Sequence, residues 1–125
     1  MWSHLLMVAL GGAIGASGRF LAGRAALWLL GPGFPWGTLF VNVAGSLVMG
    51  VLVAVMALKG GTKFAPFLTV GMLGGFTTFS SFSLDAVTLW ERGQAGLAAT
   101  YVLTSVIVSL GALFAGLTLT RMVLQ

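Results

Sequence analysis

The stretch GMLGGFTTFSSFS, Gly71 to Ser83, holds three glycines, two threonines, three serines and three phenylalanines, and no charge. It lies inside a long apolar region that otherwise reads as a membrane helix. Gly lowers helix stability by about 1 kcal/mol relative to Ala, so the adjacent pair Gly74–Gly75 predicts a break. Broken backbone at bilayer depth is tolerated only where protein buries it or water reaches it. A segment of this kind in the middle of a span is the first place to look for function.

The surrounding composition supports a membrane setting. The chain has 125 residues, 58% of them hydrophobic and only 6% charged, with a mean hydropathy of +1.08. Soluble domains carry about 25% charged residues, so a soluble fold is excluded and the expected class is an all-α integral membrane protein. Six bases against Asp85 and Glu91 give a formal charge of +4. The bases sit mostly at span ends, where headgroups and topology account for them, so nucleic acid is not an expected partner. Without cysteine there is no disulfide, zinc-thiolate site or thiol nucleophile. The lone His4 near the terminus reads as an interfacial residue. No Lys or Arg precedes the apolar run Met1–Leu10, which is therefore expected to be the start of the first span and not a signal peptide.

A bilayer-spanning helix needs about 20 apolar residues, and four stretches fit: approximately residues 5–28, 37–58, 64–90 and 95–120. They are separated by GPGFPW at Gly31–Trp36, KGGTK at Lys59–Lys63 and ERGQ at Glu91–Gln94. Residues 1–125 read as a single four-span domain. Trp2, Trp28, Trp36 and Trp90 fall near span ends, as interfacial aromatics do. Four spans place both termini and the Lys59–Lys63 loop on one side, with Lys59, Lys63 and Arg121. Arg24 and Arg92 lie on the other, joined by Arg19 if it reaches the interface. Orientation follows the Lys/Arg bias, and here the bias is almost nil. Two readings stay open: insertion in both orientations with antiparallel copies pairing, or one orientation with Arg19 buried. Small residues at helix-packing spacing (Gly11 with Gly15, Gly12 with Ala16, Gly71 with Gly75, Gly111 with Ala115) point to a tight helical assembly.

Polar residues within the spans form patterns. Thr38, Asn42 and Ser46 share one helix face, as do Tyr101, Ser105 and Ser109 with Thr104 alongside. Thr77, Thr78, Ser80, Ser81 and Ser83 cluster beside the break. A single hydroxyl in a span usually bonds the carbonyl four residues back. Two aligned ladders and a cluster instead suggest a track of neutral donors able to replace part of an anion's hydration shell. A cation path would more often carry acids, and Asp85 and Glu91 both lie away from a span centre. Phe79 and Phe82 are ordinarily packing residues, but their positive ring edges also suit a small anion. Unwinding at Gly74, Gly75 and Thr77 would free carbonyls able to coordinate Na+; the same residues also suit a simple kink. Arg19, at depth in the first span, fits a vestibule or structural role.

The segments GGAIGASGRF at Gly11–Phe20, WGTLFVNVAGS at Trp36–Ser46 and GMLGGFTTFSSFS at Gly71–Ser83 resemble the Fluc (CrcB-like) fluoride channel family. Four spans and the chain length match as well. The resemblance implies an antiparallel, dual-topology homodimer in the plasma membrane, with two pathways through which fluoride leaves the cytoplasm passively. It implies that Asn42 is the pore amide and that Phe79 and Phe82 are the pore rings. Ser80, Ser81, Tyr101, Ser105 and Ser109 would form the polar track, with Thr38 on the same pathway. Carbonyls of Gly74 and Thr77 would hold a structural Na+ between subunits. Arg19 matches the family's first-span arginine, and Asp85 stands where the family commonly has Glu.

Two rivals differ in class. A small multidrug transporter would need a carboxylate embedded in the first span, which has none. A non-transporting scaffold would leave the polar ladders without a use. No nucleophile–base pair or metal cluster supports an enzyme.

Overall fold

The computed structural model describes all residues, Met1 to Gln125, and is entirely helical. Helix α1 spans Trp2–Leu30 and α2 spans Trp36–Lys59. A 3-10 turn at Thr62–Phe64 leads into a π-helical segment, Pro66–Leu73, and a single α-turn, α3, at Gly74–Phe76. Helix α4 covers Ser80–Glu91 and α5 covers Ala95–Leu124. The segments from Thr62 to Glu91 together make one span, so four helical stretches are long and apolar enough to cross a bilayer. Each extends a few residues beyond the expected limits, and Arg121 lies in the last turn of α5 and not beyond it.

The connections follow from glycine. Gly31 at φ 79° takes the left-handed region and returns its N–H to the Leu27 carbonyl, ending α1. Gly60 does the same service after α2 and Gly93 between α4 and α5, and Gly61 also takes a positive φ. Only 14 of 125 residues are buried, and large apolar side chains such as Leu6, Phe20, Ile107 and Phe114 face outward. Apolar surface on all sides is what a helix in lipid presents. This is a multi-pass membrane protein.

Two packing units build the molecule. Helix α1 lies along the π-helical segment and α3, and α2 lies along α5. Small residues allow both. A side chain at Gly15 would collide with the Met72 carbonyl, and one at Gly50 with the Leu113 carbonyl. Gly71 and Gly75 in turn meet the backbone of Gly11 and Gly12. The small-residue spacing in the first and third spans is thus intrachain packing. A methyl added at Gly111 would meet nothing within 4 Å, whereas one at Gly116, outside the expected pattern, would collide with the Leu47 carbonyl. Helix α4 closes on α5 through Phe82, Leu89, Ala98 and Tyr101.

The break falls later than expected. Gly74 and Gly75 are helical, and the chain leaves the helix at Thr77, whose ψ of 161° is extended. The glycines do not break the span; they let it lie against α1. Where the helix would continue, the Thr78 and Ser81 amides go to side-chain oxygens instead.

Candidate functional site

Three side chains from three elements converge on the break. The Thr78 N–H donates to Asn42 Oδ1 at 2.7 Å, and Asn42 Nδ2 donates back to the Thr78 carbonyl at 2.9 Å. Arg19 Nε donates to the Gly75 carbonyl at 3.0 Å. Thr78 Oγ1 accepts the Ser81 N–H at 3.1 Å, satisfying one of the free donors in the first turn of α4. The Gly74 and Thr77 carbonyls are therefore left without the amides four residues on, which a continuing helix would supply.

Beside the break an open groove of about 530 Å³ runs between α2, the third span and α5. Asn42 and Ser46 line it from α2, Gly74, Thr77, Phe79 and Phe82 from the third span, and Ser105 and Ser109 from α5. The Phe79 ring is 77% exposed and Phe82 only 8%. Their centroids are 5.6 Å apart and the planes are tilted by 50°. Phe82 continues to Tyr101 at 5.3 Å, and Tyr101 to Phe34 edge-on at 5.4 Å.

The hydroxyls divide into two kinds. Thr69, Thr77, Ser83 and Thr100 each bond the carbonyl four residues back. Ser105 Oγ and Ser109 Oγ are buried and have no hydrogen-bond partner in the chain. Buried polar atoms are nearly always satisfied, so two unpartnered hydroxyls one turn apart on one groove call for a ligand, water or a second chain.

The remaining candidates stand elsewhere. Tyr101 is fully buried, and its hydroxyl donates to Asp85 Oδ2 at 3.1 Å. Asp85 lines a mouth of about 290 Å³ with Thr38, Thr88 and Arg92, under the α1–α2 turn. Thr38 also borders a groove of about 310 Å³ with Arg19, Arg24, Thr78 and Ser81. Ser80 is exposed, with its hydroxyl 3.4 Å from Thr78 Oγ1. Asn42, Phe79, Phe82, Ser105 and Ser109 thus share one groove, and Thr38, Ser81 and Arg19 share another. Thr78 borders both grooves. Thr104 turns away, toward an apolar recess with Leu39 and Val108.

Thr78 is the residue whose role the sequence did not single out. A threonine just before a helix start, able to accept an early helical amide, was its one local signal. Its partner Asn42 lies 36 positions away, and Arg19 reaches the neighbouring Gly75 carbonyl from 56 positions away; neither pairing has a local signature.

Groove, break and spans together define a polytopic membrane protein whose polar side chains line a break in one helix. Residues 6–117 match the family described as CrcB-like protein, Camphor Resistance (CrcB). A protein of Cereibacter sphaeroides (strain ATCC 17029) named fluoride-specific ion channel FluC is 64% identical over 121 residues, 97% of each chain. Proteins with the same name from Paracoccus denitrificans and Agrobacterium fabrum are 58% and 54% identical. They align over 93% of this chain and 93% of their own for the first, and over 94% and 96% for the second. This chain belongs to the CrcB-like family, whose named relatives are ion channels and not enzymes.

Proposed function

We propose that this chain forms a fluoride-selective passive channel in the plasma membrane, letting fluoride leave the cytoplasm. The observation that carries the reading is the groove in which the Ser105 and Ser109 hydroxyls, buried and unpartnered, face Asn42, Phe79 and Phe82. Fluoride sheds much of its water there. Hydroxyl donors, the second Asn42 amide hydrogen and positive ring edges replace it. No cationic side chain lines this groove, so no fixed charge traps the ion. Arg19 and Arg24, in the neighbouring groove, draw anions toward the membrane mouth. Asp85, held by Tyr101, fixes the Tyr101 ring against Phe82.

The assembly is an antiparallel homodimer of dual topology. A groove open to lipid cannot satisfy its polar groups, and a second, inverted copy closes it. The near-balance of Lys and Arg across the two faces supports insertion both ways. Gly74 and Thr77 fit a Na+ site between copies, because their carbonyl oxygens have lost their helical donors and both residues line the groove. When bound there, Na+ supplies a fixed positive charge that ties the two copies together.

The test is efflux from liposomes containing the purified chain, followed with fluoride- and chloride-selective electrodes. Fluoride is expected to leave rapidly, without ATP or a proton gradient, while chloride stays. No fluoride efflux, or equal chloride efflux, would sink the reading.

A further inference from the structure

The free carbonyls at the break are not produced by the residues that own them. In a helix running through this segment, the Thr78 N–H would bond the Gly74 carbonyl and the Ser81 N–H would bond the Thr77 carbonyl. Each amide goes to a side-chain oxygen instead. Asn42 Oδ1, reaching from α2, takes the first at 2.7 Å, and Thr78 Oγ1 takes the second at 3.1 Å. The Asn42 amide also holds the far side of the same residue through Nδ2 and the Thr78 carbonyl, so Thr78 is gripped at both its N–H and its C=O. Between these two oxygens, the Gly75 carbonyl is occupied by Arg19 Nε, while the Phe76 carbonyl also lacks the amide four residues on. Side chains from α1, α2 and the break itself thus take up the Gly75 carbonyl and the Thr78 and Ser81 amides.

We propose that Asn42 and Thr78 are the positioning residues of the cation site. They hold the Gly74 and Thr77 carbonyls free for Na+ by taking the two amides that would otherwise close over them. The inference rests on the reading of Gly74 and Thr77 as the Na+ donors. It adds that the cation site and the anion groove share a part. Asn42 lines the groove and also keeps the Gly74 oxygen open.

The Thr78 hydroxyl gives the cleaner probe. Valine has nearly the same shape without an acceptor, and serine keeps the acceptor. The purified full chain in detergent, in N-methylglucamine chloride, is titrated with NaCl at constant ionic strength while its thermal unfolding midpoint is followed. Binding to the folded state alone raises that midpoint. Restoring one competing backbone hydrogen bond raises the half-saturating Na+ concentration by about tenfold in Thr78→Val. Thr78→Ser stays within about threefold of the wild type. Asn42→Leu shifts in the same direction as Thr78→Val, and either variant decides alone if the other fails to fold. A Thr78→Val chain that titrates like the wild type, or a Thr78→Ser chain that shifts as far as the valine variant, overturns the positioning role while leaving the cation reading intact. A wild-type chain with no Na+ response overturns the cation reading and this inference with it.

Discussion

Ser105 shows how much depends on one oxygen. It is 5% exposed, and its hydroxyl has no partner in the chain. Leaving a buried polar group unsatisfied costs about 1–3 kcal/mol. A residue kept at that cost in the wall of a groove has its use there, not in holding the fold. Ser105→Ala is therefore expected to leave the thermal midpoint unchanged or higher. In the same chain, fluoride efflux falls by at least about threefold, as expected when one donor is removed from a dehydrated ion path. Melting in detergent and liposome efflux check the two halves separately. A large loss of stability with full efflux would make Ser105 structural. Ser83 and Thr100 look equivalent to it in sequence, yet each bonds the carbonyl four residues back. The difference lies in what faces them.

At the scale of the element, the third span is three kinds of helix in succession, and α1 supports its first half. The contact is close enough that backbone meets backbone. An added methyl at Gly15 runs into the Met72 carbonyl, whereas one at Gly12 meets nothing within 4 Å. Gly15→Ala is expected to lower stability by about 1–3 kcal/mol, the usual cost of overpacking where the neighbour is backbone. Gly12→Ala should be nearly neutral within the chain. Thermal melts of the two variants side by side make the comparison, and equal melting points would remove the assigned contact. Displacing the Met72 turn also threatens the Gly75 carbonyl and its Arg19 bond, only three residues on. This is how packing remote from the groove reaches the site.

For the whole molecule, the open groove is the dominant fact. Phe79 and Gly74 are exposed in an isolated copy, beside a groove that the half-buried Asn42, Ser46 and Thr77 line with polar groups. Hydrocarbon offers these polar groups nothing, and the proposed inverted partner does. The chain has no native cysteine, so a single introduced thiol reports orientation without background. Lys63→Cys lies in the exposed turn at Thr62–Phe64. In intact cells, an impermeant thiol reagent is expected to label about half of the molecules, and the rest only after permeabilisation, given the near-absent charge bias. Labelling confined to one condition would exclude dual insertion.

The class, the four spans, the loops and the list of polar candidates were legible in the chain alone. They depend on hydropathy, span length and local spacing, which any stretch of sequence carries within itself. Asn42, Phe79, Phe82, Ser105 and Ser109 were legible as candidates for the same reason. Tertiary structure decided what became of them. It shifted the break from Gly74–Thr77 to residues 77–79, because α1 lies against the glycines and Asn42 takes the Thr78 amide. It separated Ser81 and Thr38 from the serines of α5 and set them beside Arg19. A helical hydroxyl or amide has a local partner always within reach. Whether it uses that partner depends on which group from a distant part of the chain arrives beside it.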